Sequence, residues 1–405
     1  MDFTPQEVAE RLRHLPDLIW MDSALAQPGK GAISILSASP TQVLKGQIDR
    51  DWDEVSALLA AHQTPVEEKA PHLPQGGLFG WVGYDGQFSL GLYPHLLAYD
   101  HDSRQWWEIG NRLSRAFTEP TPLHWTTGLK FTSTVSRRRF MAMVSRAREY
   151  IAAGDIYQVN LACPWSAPWP QGADPFALYS RLRKISPSPH AAYLHLDGTH
   201  VLSASPETFL KLDGQQILTR PIKGTRPRYL ENAVMDTASA VELLASDKER
   251  AELLMITDLE RNDLGQVCRF GSIQVPELWT LEPFAQVIHL VSTITGELRP
   301  EIDHAAAFRA CFPGGSITGA PKKRAREIIA ELESAPRGLY TGAIGWFGFN
   351  GHSQWNIAIR TAIQEESRIH FHVGSGIVAD SDPAGEYQET LHKASGIFRA
   401  ASVTE

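Results

Sequence analysis

Strand-like and helix-like stretches follow one another irregularly along this chain, without a regular strand–helix–strand rhythm. That feature predicts a mixed α/β or α+β fold. The helix signals are local and specific. SRRRFMAMVSRAREYIAAGD has apolar residues at helical spacing and stops near Gly154. AVELLASDKERAELLMITDLERND reads as one longer helix, and DPAGEYQETLHKASGIFRAA as another, with Asp382 as N-cap and Pro383 at the first helical position. WNIAIRTAIQ alternates and reads as a strand, with Ile357, Ile359 and Ile363 on one face and Ala358, Arg360 and Ala362 on the other. The polar passage TEPTPLHWTTGLKFTSTVS reads as a connection between an N-terminal part and a more regular remainder.

Composition narrows the function classes. With 405 residues, 43% hydrophobic and 21% charged, the chain buries a substantial core, and length alone suggests two or three domains. A net charge of −8 disfavours a nucleic-acid partner, whose phosphates call for a basic surface. No apolar run is long enough for a membrane span, and the N-terminal stretch, broken by Glu7, Glu10 and Asp17, does not read as a signal peptide. Cys163, Cys268 and Cys311 are far apart and unpaired in spacing, which predicts no zinc site or disulfide framework and fits a cytoplasmic location. Cys311, in AAAFRACF, reads as a packed core thiol.

The chemistry-bearing residues come in three groups. Glu249 and Glu252 are three apart on one helix pattern, and Glu386 and Glu389 repeat that spacing on the last. Each pair shares a helix face. Four convergent carboxylates would repel one another without a cation, and a hard divalent ion such as Mg2+ is the natural partner. Two solvated helix faces would read the same way. Gly374-Ser375-Gly376 and the loop FPGGSITGAPKKRA offer backbone N–H groups to an anion, with Thr318 as a candidate cap of the helix that follows; a tight turn is the plainer reading of both. Arg360, amid small and apolar residues, calls for a carboxylate, either internal or on a ligand. Lys223 in PIKGT is a candidate nucleophile, Glu207 in SASPETF a candidate general acid, and His289 in VIHLVST either an orienting group or a satisfied core histidine.

Together these strings resemble the chorismate-utilising enzymes. The segments GDIYQVNLA, SASPETF, TRPIKGTRPR, ERAELLMITDLERNDLG, IHLVSTITG, FPGGSITGAPKKRA, YTGAIGW, IAIRTA and VGSGIVADSDPAGEYQETLHKA run in the family order from about residue 136 to the C-terminus. The resemblance implies an α+β fold of two antiparallel β-sheets packed as a sandwich with helices outside. Residues 1–135 would contribute to that same sandwich, and residues 136–405 would form the chorismate-binding catalytic region. Many members bind tryptophan near the N-terminal strands; the match here is limited to LIWMDSA and Ala38–Pro40, which leaves that site open.

Within the family, PIKGT resembles the aminodeoxychorismate branch, whereas the anthranilate branch carries PIAGT. Isochorismate and salicylate synthases carry a water-activating lysine where Gln158 stands here. The resemblance implies Mg2+ on Glu252 and Glu389, with Glu249 and Glu386 nearby. It implies that Arg360, Tyr340 and the Gly374–Gly376 backbone hold the second carboxylate of chorismate, and that Gly224 and Thr225 line its ring. Lys223 would attack C2 while Glu207 protonates the departing C4 hydroxyl, with His289 orienting. Ammonia would then enter at C4, supplied by a separate glutaminase subunit, since no CGICLG-like segment occurs. The product would be 4-amino-4-deoxychorismate, on the route to 4-aminobenzoate and folate. The alternative is ammonia at C2, the anthranilate synthase outcome.

Overall fold

The computed structural model describes residues 2–25, 32–68, 70, 72–284 and 287–402. Its frame is two antiparallel sheets of eleven and ten strands. The first runs, in spatial order, through Gly319–Ala320, Gln158–Pro168, Arg368–Ile377, Thr361–Glu365, Thr199–Ser205, His190–Leu196, Ile19–Asp22, Ile33–Ser37, Leu96–Asp100 and Gln105–Ile109. The second runs through Ile222–Pro227, Val287–Glu297, Gln216–Arg220, Thr208–Asp213, His352–Ile357, Ala343–Gly348, Gly77–Val82, Gln87–Tyr93 and Gln42–Gln47. Strands from before residue 135 therefore pair with strands from after it in both sheets, as in Ile19↔Leu194 and Leu78↔Phe347.

Three apolar layers hold this frame. Between the sheets lie Ile19, Ile35, Phe79, Val201, Ile344, Trp346 and Ile363. Outside the first sheet, the helices Arg137–Ala152, Pro175–Ile185, Lys322–Leu332 and Pro383–Ala401 press Phe140, Val144, Leu182, Ile328 and Ile397 onto the strands. Outside the second, Asp53–Ala61, Asp247–Gly265 and His304–Cys311 do the same with Val55, Leu264 and Phe308. Each fully buried side chain of this size contributes about 1.5–3 kcal/mol by leaving water. The sandwich with helices outside thus follows from faces that are apolar on both sides of each sheet. Among the described residues, no helix is long and apolar enough to cross a membrane.

The helix ends behave as the local chemistry dictates. Asp382 accepts a hydrogen bond from the Gly385 backbone N–H and Pro383 opens the last helix. The helix begun at Arg137 ends at Ala152, just before Gly154. The polar passage after residue 117 carries only the two-residue strand Thr132–Ser133. Cys311 is buried, and burial drives its thiol pKa up.

Three local expectations need correction. WNIAIRTAIQ is not one strand. His352–Ile357 belongs to the second sheet and Thr361–Glu365 to the first, and the chain crosses between them at Ala358–Arg360, where Arg360 has φ 52°. Alternation reports only which side a residue faces, and is silent on a change of sheet. So Ile357 packs outside the second sheet and Ile363 between the sheets.

The long helix candidate is two helices, Ala233–Ala245 and Asp247–Gly265, broken at Ser246. The Ser246 hydroxyl caps the second by accepting from the Glu249 N–H, so a local side-chain bond replaces helix continuation. Finally, Thr318 caps no helix. Gly319–Ala320 pair as a short strand with Gln158–Val159, the next helix starts at Lys322, and the Thr318 hydroxyl donates to the carbonyls of Gly314 and Gly315.

Candidate active site

One cavity of about 580 Å³ collects most of the sequence-derived residues. Lys223, Gly224 and Thr225 enter from Ile222–Pro227, and His289 from the strand it pairs with. Glu207 enters at the turn after Thr199–Ser205, and Arg360 at the crossing between sheets. Tyr340, Gly374 and Gly376 close one end, and Glu249, Glu252, Glu386 and Glu389 line the rim from two helices. Ser375 and Thr318 do not line it. Ser375 donates its hydroxyl to Glu386, which does line it, and Thr318 is fully buried in its turn.

The two glycines at the closed end are required by space. A Cβ on Gly374 would stand 2.6 Å from the Leu161 carbonyl oxygen and 2.7 Å from the Tyr340 hydroxyl. On Gly376 it would stand 2.6 Å from Gln158 Nε2 and 3.7 Å from Lys223 Nζ. A flat ligand can approach the bare backbone there.

Charge and protonation divide the cavity. Glu207 is 5% exposed, and burial raises its pKa, offset in part by Ser316, Lys223 and the Ile222 backbone. A carboxyl whose pKa is raised keeps its proton more readily and is suited to donate it. Burial drives the His289 pKa down to about 3, with the Arg360 charge adding to the shift. His289 is therefore neutral at physiological pH, its Nδ1 2.9 Å from the Thr225 hydroxyl. Burial lowers the Arg360 pKa, and its guanidinium forms no ion pair among the described residues. The Glu207 charge opposes that shift without pairing with Arg360 among the described residues, so the guanidinium is available to a ligand carboxylate.

At the rim, burial raises the Glu252 pKa; Lys223 opposes this, and Glu249 and Glu389 reinforce it. Burial raises the Glu389 pKa, but Lys393 at 2.7 Å, together with Lys223 and Lys248, opposes it and the net shift is downward. Glu249 faces Arg226 at 3.7 Å. Protein cations and Ser375 thus hold three of the four carboxylates. Among the described residues no three His, Cys, Asp or Glu side chains form a ready-made ion cage. The tight four-carboxylate cluster expected from spacing is therefore looser. The donor set still fits Mg2+, which takes one or two carboxylates and keeps waters, and Glu252 lies near both Glu249 and Glu389 with no ion pair of its own among the described residues.

Sequence reasoning missed several residues. Lys393 bridges Glu389 and the Gly374 carbonyl at 2.7 and 3.1 Å; its i,i+4 spacing from Glu389 was the available signal. Ser316 and Asn160 also line the cavity, and no local pattern distinguishes them. Behind the wall, Arg337 is paired with Glu333 at 2.7 Å and donates to the carbonyls of Ile317 and Asn160. A further buried carboxyl, Glu260, accepts from the Thr219 hydroxyl at 2.7 Å. Burial pushes its pKa up to about 8, with Thr219 opposing and the Glu207 and Asp263 charges reinforcing.

Glu260 has a measurable consequence. Between the ordinary carboxyl value of 4.5 and about 8 the unfolded chain releases a proton that the folded state keeps. Stability from this group is fully present below pH 4.5 and falls by about 1.4 kcal/mol per pH unit across that window. Glu260→Gln keeps an oxygen for Thr219 and removes the titration. Denaturant unfolding at pH 5 and pH 8 should show the variant gaining on the wild type as pH rises; a constant difference would disprove the buried charge effect.

With the geometry in place, comparison with known proteins is direct. The family described as chorismate binding enzyme matches residues 19–399. Aminodeoxychorismate synthase component 1 of Bacillus subtilis is 35% identical over 427 residues, covering 93% of this chain and 90% of the relative. Anthranilate synthase component 1 of Streptomyces coelicolor is 45% identical over 293 residues, covering 72% and 56%. The crystal structure of anthranilate synthase component I from Streptococcus pneumoniae superposes with a TM-score of 0.79 at 30% identity, covering 93% of this chain and 94% of that one. The chain belongs to the chorismate binding enzyme family. It is a chorismate-utilising enzyme, and relatives that match most of its length carry the name aminodeoxychorismate synthase component 1.

Proposed function

We propose that this chain aminates chorismate at C4, giving 4-amino-4-deoxychorismate, with ammonia from a separate glutaminase subunit. The observation that carries the reading is Lys223 on the cavity wall together with the buried Glu207, whose pKa burial raises. Arg360, Tyr340 and the bare backbone of Gly374 and Gly376 suit one carboxylate of the substrate. Glu252 and Glu389, with Glu249 and Glu386 nearby, would hold Mg2+, which supplies compact positive charge for the other carboxylate.

Lys223 Nζ forms a bond to C2, both ring double bonds shift by one position, from C1–C2 to C1–C6 and from C5–C6 to C4–C5, and the C4–O bond breaks. Glu207 gives its proton to that oxygen, which leaves as water. Ammonia then bonds to C4, both double bonds return, and the C2–N bond breaks to restore the lysine amine. Glu207 takes back one proton from the new ammonium group. Two allylic displacements replace one poor one, and nitrogen ends where the hydroxyl was.

The competing reading is ammonia attacking C2 directly, as relatives named anthranilate synthase would suggest. Lys223 beside C2 disfavours it. Incubation with chorismate, Mg2+ and ammonium should yield the 4-amino product by mass and chromatography. Glutamine should support the reaction only when a separate glutaminase is added. Anthranilate as the main product, or glutamine turnover by the pure chain, refutes the proposal.

A further inference from the structure

The amination step needs something the residues above do not supply. Ammonia must turn its one lone pair towards C4, so its N–H groups need acceptors on the cavity wall. Among the described residues, three oxygens on that wall are buried without a hydrogen bond: Glu207 Oε1, Asn160 Oδ1 and Ser316 Oγ. Asn160 Oδ1 lies 2.7 Å from the Cβ position of Gly374, at the closed end with Tyr340. Ser316 lies between the two reacting groups. Its carbonyl accepts from Lys223 Nζ at 3.4 Å, and its hydroxyl lies beside the Glu207 carboxyl and favours that group's charged form.

We propose that the Ser316 hydroxyl holds the incoming ammonia. This rests on the C4-amination reading above. Once Glu207 has protonated the departing oxygen it is a carboxylate, and the Ser316 O–H donates to it. The serine lone pairs are then left for an N–H of ammonia, which fixes its approach next to the base that will take its proton. The loop carrying Ser316 is braced independently of that hydroxyl, because Thr318 donates to the Gly314 and Gly315 carbonyls at 3.0 and 3.2 Å. Ser316→Ala should therefore keep the loop and the carbonyl that orients Lys223.

Steady-state kinetics of the full chain with chorismate, Mg2+ and ammonium test this. Ser316→Ala should raise the KM for ammonium about tenfold, the effect of one lost hydrogen bond, with the KM for chorismate within twofold. Ser316→Thr, which keeps the hydroxyl, should restore the ammonium KM. An unchanged ammonium KM in Ser316→Ala, or equal rises for both substrates, overturns the assignment while leaving C4 amination standing. If wild type forms the 2-amino product, the C4 reading falls and the Ser316 assignment falls with it.

Discussion

Lys223→Ala should lose on the order of a thousandfold in the rate of 4-amino product, a barrier increase of about 4 kcal/mol. The residue is singled out by position: it lines the cavity, donates to the Ser316 carbonyl at 3.4 Å, and lies across from Glu207 and the acidic rim. Removing its side chain opens the approach to C2, so the residual product should include the 2-amino compound. Lys223→Arg should not rescue, because a guanidinium stays protonated and is a poor nucleophile. Chorismate without ammonia should leave a covalent adduct on wild type, and peptide mapping should place its mass on the segment containing PIKGT. Wild-type rates of 4-amino product from Lys223→Ala would exclude obligatory attack by this lysine and leave it as an electrostatic guard of C2.

Glu252→Gln should show the second large effect, on metal dependence. The variant keeps the shape of the side chain and removes one hard anionic ligand, so half-maximal activity should need about a hundredfold more Mg2+. Stability should move the other way. The folded-state pKa of Glu252 is raised, chiefly by burial, so its ionisation opposes folding once pH exceeds the ordinary carboxylate value. Gln carries no such charge, and the metal-free variant should melt no lower than wild type at neutral pH. Direct Mg2+ titration by calorimetry separates weakened binding from a slower chemical step. Normal turnover at low Mg2+ would remove Glu252 from the metal site.

Parts of this site were legible because their signals are local. Asp382 and Pro383 mark the start of the last helix whatever it packs against, since a cap is satisfied within four residues. The i,i+3 glutamates share a helix face by geometry alone. Thr318 misled for the same reason: a threonine before a helix reads as a cap, but the chain spends Gly319 and Ala320 on a strand bridge to Gln158 and Val159 first. Arg360 shows a second limit. Its alternating neighbours suggest a continuous strand, yet its φ of 52° marks the point where the chain leaves one sheet for the other and turns the guanidinium into the cavity.

What the sequence by itself determined is a set of candidate groups and the elements that carry them: PIKGT, SPE, the paired glutamates and the glycine-rich strand end. Helix faces, caps and strand alternation are legible locally because they depend on residues a few positions apart, whereas the roles of PIKGT and SPE were implied by their resemblance to the family. Only the tertiary structure decided which groups meet. Glu207, Lys223, Ser316 and Arg360 are far apart in the chain and share one cavity because two sheets pair strands across nearly its whole length. It also decided protonation. The Glu207 pKa is raised, that of Glu260 is pushed up to about 8 and His289 stays neutral chiefly because burial removes the water that would solvate their charge, and burial is a property of the packed sandwich.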